Sequence, residues 1–192
     1  ALGNLDNATA DKVINAKGKA VSPGFINMIG WGVTSLITDG RGLSDITQGI
    51  TLEVFGEGNS MGPLSPVMKT EFPKYWAGIN PGWTTLGEYL EFLEVKGVAP
   101  NIASFIGATT PRIHVLGQDD VDPTPQQLKL MQELVREAMR EGAVGVASSL
   151  IYTPASFAET DELVALAKAA AEYGGIYASH LRNEGKQIFD AL

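Results

Sequence analysis

Residues 177–185 have the clearest capacity for chemistry in this sequence. The segment contains His180, one of two histidines in the 192-residue chain, followed closely by Arg182 and Glu184. The apolar run before His180 predicts a strand that ends near the histidine, and barrel enzymes keep their catalytic groups at such strand ends. An imidazole there could bind a metal or act as a general base, with charged neighbours that orient it and bind substrate. From the residues alone, this functional histidine and a structural, partly buried one are equally favoured.

Two further polar groups follow other predicted strands. Glu57 lies in the glycine-rich residues 56–62, directly after an apolar run, and a carboxylate at that strand end would point into a shared site. The spacing G-x-G-x-x-x-G is one residue too long for a dinucleotide fingerprint, and Pro63 and Pro66 follow it, so a close-packed turn is favoured. Tyr152 follows a later apolar run, where its hydroxyl could face a ligand or pack within the loop.

Residues 111–116 are predicted to form a loop or short strand. Within them, Arg112 either binds an anion or is an ordinary surface cation, and His114 is predicted to be structural. The acidic pair Asp161 and Glu162 is predicted to be solvated at the first turn of a helix.

Composition excludes several classes of function. The net charge of −8 and the lack of a basic stripe argue against nucleic acid as a partner. The sequence has no cysteine, so a bound metal would need His, Asp, Glu, backbone or water ligands. No apolar run reaches the roughly 18 residues that suggest a membrane span, and the first residues lack a signal pattern. We therefore expect a small-molecule substrate and no membrane partner, while the compartment, cytoplasmic or exported, stays open.

Short, nearly continuous apolar runs predict buried parallel strands. They cover residues 24–29, 50–55, 101–106, 143–147 and 175–178, and a short hairpin of residues 12–14 and 20–21 is predicted to precede them.

Helical periodicity appears between the later runs. One helix has an apolar face from Leu86 to Leu93 and stops at Gly97. The next has a capping box of Thr124 and Gln127, and a third begins at Thr160 and stops at Gly174; these helices carry inward-facing residues at helical spacing. The alternation predicts an α/β fold with a parallel sheet. An open doubly wound sheet, slightly favoured by pattern alone, and part of an eight-stranded barrel both remain open.

Three segments together resemble the N-acyl-D-amino-acid deacylase (D-aminoacylase) group of the amidohydrolase superfamily. They read AKGKAVSPGFIN at residues 16–27, EGAVGVASSLIYTP with AETDEL between residues 141 and 163, and GIYASHLRNEG at residues 175–185. Their order and spacing make the match specific, and residues 86–90 and 101–107 fit the same template.

The resemblance implies a (β/α)8 TIM barrel of the metal-dependent hydrolase type, with a small β-sandwich built from the chain ends. Residues 1–22 would then end an N-terminal sandwich segment, and residues 23–192 would form the first five βα units. A metal-activated water, on one zinc ion, would hydrolyse the amide of N-acyl-D-amino acids or related small N-acyl compounds.

The resemblance also implies roles for particular residues. His180 would be a metal ligand, and Tyr152 would help to hold the substrate carboxylate. Arg112 and Arg182 are candidate cations for binding substrate on their charge and position alone, not on the resemblance. A further histidine ligand and an aspartate base would lie beyond residue 192, in the missing C-terminal part of the barrel or on another chain.

Several positions depart from the family pattern. Where the group has Asp-x-His-x-His after the first strand, this chain has Asn27 for the aspartate and Ile29 and Trp31 for the two histidines. Ala108 stands where a third histidine is expected. Glu57 lies at the position of a cysteine ligand, and we predict that it replaces that cysteine as an oxygen ligand, which zinc accepts at about 2.0–2.2 Å. The alternative is an amidohydrolase-like scaffold that binds a ligand or partner without hydrolysis.

Overall fold

The computed structural model describes residue 3 and residues 8–191 of the chain. Its strands are β1 (Phe25–Asn27), β2 (Ile50–Phe55), β3 (Asn101–Ser104), β4 (Ile106–Gly107), β5 (Gly145–Ser149) and β6 (Ile176–His180). Every pairing is parallel, and strands pair in chain order as β1-β2-β3 and β4-β5-β6. The predicted α/β fold with a parallel sheet is therefore confirmed.

The third predicted strand is divided at Phe105. Before this residue β3 pairs with β2, and the Phe105 N–H still donates to Phe55 O at 2.8 Å. After it, β4 pairs with β5 from Ile106 onwards. The third predicted strand thus pairs with β2 before Phe105 and with β5 after it. The spatial order of the strands is the same as their order in the chain. A doubly wound sheet reverses its strand order at a switch point, so this arrangement differs from the open-sheet alternative.

The two faces of the sheet have different neighbours because side chains alternate along a strand. Phe55, Ile106 and Val146 point towards the helices and belong to the main hydrophobic core. On the other face, which we call the inner face, a small cluster consists of strand residues and Phe105; its members are Leu52, Val54, Ala103, Phe105, Ala147 and Ala178. The main core therefore lies on the opposite, helix-covered face.

The helices are α1 (Ser35–Thr38), α2 (Leu43–Ile46), α3 (Pro66–Tyr75), α4 (Leu86–Lys96), α5 (Thr109–Leu116), α6 (Pro125–Arg140) and α7 (Thr160–Ala171). The predicted capping box is present at α6, where the Gln127 N–H donates to Thr124 Oγ1 at 3.3 Å and the Thr124 N–H donates to Gln127 Oε1 at 2.9 Å. Helix α4 ends before Gly97, whose φ of 77° suits a glycine, and α7 begins at Thr160 as predicted. These capping residues were sufficient to predict the helix ends because their hydrogen bonds lie within their own helix.

Helix α5 corrects the prediction of a loop or short strand at residues 111–116. It starts directly after β4, and no side chain caps its first turn. Tertiary contacts hold it instead: the Ser60 N–H donates to Thr110 Oγ1 at 2.8 Å, and Arg112 is fully buried. Burial outweighed a local sequence with weak helix propensity.

The hairpin predicted near the start is absent from residues 8–24. A turn is present, with the Lys19 N–H donating to Ala16 O at 2.9 Å, but no strands flank it. Val13 and Val21 are more than four-fifths exposed, at 85% and 83%. A two-stranded hairpin with no apolar surface to cover it is marginal in water, which explains the difference. The predicted sandwich segment, residues 1–22, also includes residues 1, 2 and 4–7, which lie outside the described part.

Glu53 is a buried carboxylate on the helix-covered face of β2, with a relative exposure of 2%. Its Oε1 has no hydrogen-bond partner among the described residues. A β-carbon on Gly30 or Gly32 would lie 3.0 or 2.9 Å from its Oε2, so these glycines leave the room that the carboxylate occupies. Burial raises the pKa of Glu53, and the negative charge of Asp45 raises it further.

We expect Glu53→Gln to stabilise the protein at neutral pH by on the order of 1 kcal/mol, because a neutral amide avoids burying an unpaired charge. Folding raises the pKa of Glu53, so its proton favours the folded state. That stabilisation is complete below the ordinary pKa near 4.5 and is lost as the pH rises through the raised value. Urea unfolding at several pH values should show the advantage of the variant shrinking towards acid; a constant difference would contradict this account.

Candidate active site

The inner face carries two polar side chains at the carboxyl end of the sheet. Ser149 and His180 are paired across β5 and β6, and the Leu150 N–H donates to His180 O at 3.1 Å. His180 lies two residues after Ala178, and Ser149 two residues after Ala147, so both share the face of the inner cluster. The predicted strand end at His180 is therefore confirmed, and its imidazole lies at the edge where parallel-sheet enzymes bind substrates.

The imidazole of His180 is held by local contacts. Its Nδ1 lies 3.2 Å from Leu181 O, and its Nε2 lies 3.7 Å from Glu184 Oε1. When Nδ1 carries the hydrogen and donates to the carbonyl, Nε2 of the neutral ring has a free lone pair. A ring nitrogen oriented in this way can bind a metal or accept a proton. The side chain is 23% exposed, so it is accessible from the open side.

Tyr152 lies beside this histidine. The two ring centroids are 5.6 Å apart with an interplanar angle of 58°. Tyr152 is 60% exposed, so its hydroxyl is free to meet a ligand from solvent. The structure thus brings together two of the residues selected from the sequence.

The segment that contains Glu57 reaches over the end of β5. Gly58 has a φ of +73°, and a β-carbon there would lie 2.6 Å from Ser149 Oγ. The Thr109 N–H donates to Gly58 O at 2.9 Å, which fixes the segment to the start of α5. Because Ser149 pairs with His180, the half-buried Glu57, which precedes Gly58, lies in a segment at the same carboxyl end of the sheet, which we call the rim.

We expect Gly58→Ala to lower the free energy of unfolding by about 1–3 kcal/mol, because alanine is strained at this φ and its methyl group meets Ser149. Urea unfolding would measure the loss. Adding Ser149→Gly removes the side chain in the way and should recover part of it. The same substitution at Gly78, which has a similar φ of +76° but open space around it, is the control for backbone strain alone. Equal losses at Gly58 and Gly78 would contradict the close contact.

Arg112 does not lie at this end of the sheet with its side chain open to a ligand. Its guanidinium is fully buried, with Nη1 2.5 Å from Glu162 Oε2 and Nη2 donating to Val121 O at 2.7 Å. The expectation of an anion-binding or surface arginine is therefore wrong. The expectation that Glu162 is solvated is also wrong, since this residue is only 4% exposed. Burial raises the pKa of Glu162, and the Arg112 guanidinium offsets part of that rise.

Arg182 has a supporting position near the rim. Its Nη1 donates to Ser156 O at 3.0 Å and its Nη2 donates to Ala158 O. These carbonyls lie in and just after a short 3-10 helix, Ala155–Phe157, that follows Tyr152 by a few residues. Arg182 thus ties the loop after β5 to the loop after β6.

The chain is similar to known proteins over its whole length. A D-aminoacylase from Alcaligenes xylosoxydans xylosoxydans is 31% identical over 196 residues, covering 100% of this chain and 40% of the relative. A solved D-aminoacylase, studied for the role of its binuclear metal center, superposes with a TM-score of 0.84 at 30% identity, covering 100% of this chain and 41% of that one. N-acyl-D-glutamate deacylase from Bordetella bronchiseptica, complexed with zinc and a phosphonate inhibitor, gives 0.84 at 28% identity, covering 100% and 40%. No family model matches the chain.

Over its whole length the chain is homologous to D-aminoacylase and to N-acyl-D-glutamate and N-acyl-D-aspartate deacylases. It spans about two fifths of the length of the curated relatives it matches. No helix in its described part is long and apolar enough to cross a membrane.

Potential metal ligands are sparse among the described residues. Among residue 3 and residues 8–191, no group of three or more His, Cys, Asp or Glu side chains is arranged to hold a metal ion. Catalytic zinc usually takes three protein ligands, and His180 and Glu57 would supply two. At the end of β1, Asn27 instead accepts from the Ile29 N–H at 3.3 Å, and Ile29 is 57% exposed. The described residues therefore do not fit a complete metal centre by themselves.

Sequence reasoning missed Ser149, although a signal for it was present. Its Oγ is buried and has no hydrogen-bond partner within the described residues. Counting by two from Ala147 would have placed it on the inner face, directly after the predicted strand ended. An unpaired buried hydroxyl beside His180 is available to hydrogen-bond with whatever occupies the rim.

Proposed function

We propose that the protein is a metal-dependent hydrolase that cleaves the amide of N-acyl-D-amino acids or related small N-acyl compounds. The observation that carries this proposal is the whole-chain similarity to D-aminoacylase together with His180 on the inner face at the carboxyl end of the strands. A histidine in that position is open to substrate, and its Nε2 can bind a metal when Nδ1 donates to Leu181 O.

Residues 23–192 would form the first five βα units of a (β/α)8 barrel. Consecutive parallel strands with the main core on one face support this architecture. The two end strands also leave apolar side chains uncovered, with Ile26 56% and Ile176 55% exposed. Closing the barrel with further strands, from a C-terminal part of the protein or from another chain, would cover these residues and remove both open edges.

His180 would bind the metal through Nε2, and Glu57 would be the oxygen ligand on the neighbouring segment. Zinc, the metal expected, supplies an activated water when bound. The remaining ligands and an aspartate base would come from outside residues 1–192. Tyr152 would hold the substrate carboxylate through its exposed hydroxyl. Arg182, proposed on the sequence to bind substrate, would act by positioning the loop that follows Tyr152.

Two measurements on the whole protein test this function. Metal analysis after purification should find zinc or another divalent ion bound in stoichiometric amount. Amine release should follow incubation with N-acetyl-D-amino acids and not with their L-enantiomers. Absence of both bound metal and amine release would overturn the proposal in favour of a scaffold that binds without hydrolysis.

A further inference from the structure

A cavity of about 720 Å³ lies between α3 and α5 on the carboxyl side of the sheet. That volume is in the range of sites that bind small molecules. Its lining is largely aliphatic and aromatic, and includes Leu64, Met68, Phe72, Trp76, Val115 and Leu116. Stacking of Phe72 on Trp76, with ring centroids 5.7 Å apart, makes part of its wall.

The cavity is lined in part by residues that follow candidate active-site residues in the chain. Asn59 and Ser60, which follow Glu57 closely, line it, and so do Thr153 and Pro154 directly after Tyr152. Two of the segments that carry proposed active-site residues therefore continue into its wall. A substrate whose carboxylate is held by Tyr152 could extend into this space past Thr153 and Pro154.

Within the described part of the chain, the cavity lining offers no cationic side chain of Lys or Arg to bind an anionic ligand. None of the lysines and arginines of residues 8–191 lines the cavity. Its one carboxylate, on Glu71, accepts from Lys74 Nζ at 2.6 Å. The imidazole of His114 has Nδ1 3.4 Å from Pro63 O, so its nearest polar contact is a backbone carbonyl. An uncharged apolar group gains most by entering such a space.

We propose that this cavity binds an uncharged medium-chain or aromatic group of the substrate, so that the enzyme prefers N-acyl compounds larger than N-acetyl-D-alanine. The identity of the substrate in this inference rests on the proposed function. The binding of an apolar group in the cavity is independent of that function. The apolar group belongs either to the acyl moiety or to the amino-acid side chain, and hydrolysis of N-octanoyl-D-alanine and N-acetyl-D-tryptophan distinguishes the two.

Binding without hydrolysis is the first test. Equilibrium dialysis of the whole protein with radiolabelled octanamide should show saturable binding, at least about tenfold tighter than that of acetamide. Val67→Trp, which adds bulk at an exposed lining position on α3, should weaken octanamide binding at least about tenfold. Thr70→Trp adds the same bulk on the same helix outside the lining and should leave binding unchanged. If Val67→Trp does not fold, Tyr75→Ala, which removes an exposed lining ring, should weaken binding in the same way.

Hydrolysis is the second test. Val67→Trp should lower kcat/KM at least about tenfold for N-octanoyl-D-alanine if the acyl group enters the cavity, or for N-acetyl-D-tryptophan if the side chain does. The value for N-acetyl-D-alanine should stay within about twofold. Octanamide binding without hydrolysis of any substrate would remove the proposed function and leave the cavity site standing. Octanamide binding that is absent, or equally strong in both variants and wild type, would overturn the inference.

Discussion

Replacing Arg112 by methionine is expected to lower the free energy of unfolding by about 3–5 kcal/mol, the largest stability change we predict for a single substitution. The Glu162 carboxylate would lose the guanidinium at 2.5 Å from its Oε2, while its Oε1 already has no partner among the described residues. Both side chains are almost fully buried, at 1% and 3% exposure, so water cannot replace the lost contact. Urea unfolding at neutral pH measures the effect.

The stability loss of Arg112→Met should depend on pH, because Glu162 can be protonated. Without Arg112, only the weaker effect of the Arg182 charge offsets the burial that raises the pKa of Glu162, so its proton favours the folded state more strongly. The deficit of the variant should therefore shrink as the pH falls towards the ordinary pKa near 4.5.

Two controls isolate the buried pair. Adding Glu162→Leu to Arg112→Met removes the stranded charge and should recover most of the loss. Lys74→Met breaks an exposed pair, Lys74 with Glu71, and should cost less than about 1 kcal/mol. A stability loss for Arg112→Met no larger than that for Lys74→Met would show that the buried pair is not formed.

His180→Asn is expected to lower the rate of N-acyl-D-amino-acid hydrolysis at least about 100-fold. Loss of a partner that merely orients a metal ligand costs about 10- to 100-fold, so loss of the ligand itself should cost no less. Bound metal should fall with the rate. The free energy of unfolding should change little, since the side chain is 23% exposed and its polar contacts are with Leu181 and Glu184, close by in the chain. Steady-state kinetics, metal analysis and urea unfolding of one preparation measure all three.

Ser179→Ala is the matched control for His180→Asn. Ser179 precedes the histidine on β6 and points to the opposite face, where its hydroxyl accepts from Ser148 Oγ at 3.1 Å. Its loss should leave the rate and the metal content within about twofold of wild type. Unchanged hydrolysis in His180→Asn, or an equal loss in both variants, would contradict a direct role for His180 in the reaction.

The elements predicted well from the sequence are those specified by neighbours in the chain. Helix α6 carries its own capping box, and α4 ends where Gly97 allows a left-handed backbone. The strand before His180 was recognisable as a short apolar run, although β6 extends to the histidine itself. Helix α5 was missed because its stability comes from Ser60 and Glu162, some fifty residues away on either side.

The same distinction applies to the candidate site. The sequence by itself determined the residue types that can do chemistry, and His180 and Tyr152 were both found by their position after apolar runs. Only the tertiary structure decided which of them meet: it set Tyr152 beside His180, brought Gly58 onto Ser149, and turned Arg112 away into an ion pair with Glu162. The physical reason is that a strand's period orients side chains locally, whereas burial and pairing of charges depend on segments that only the complete fold brings together.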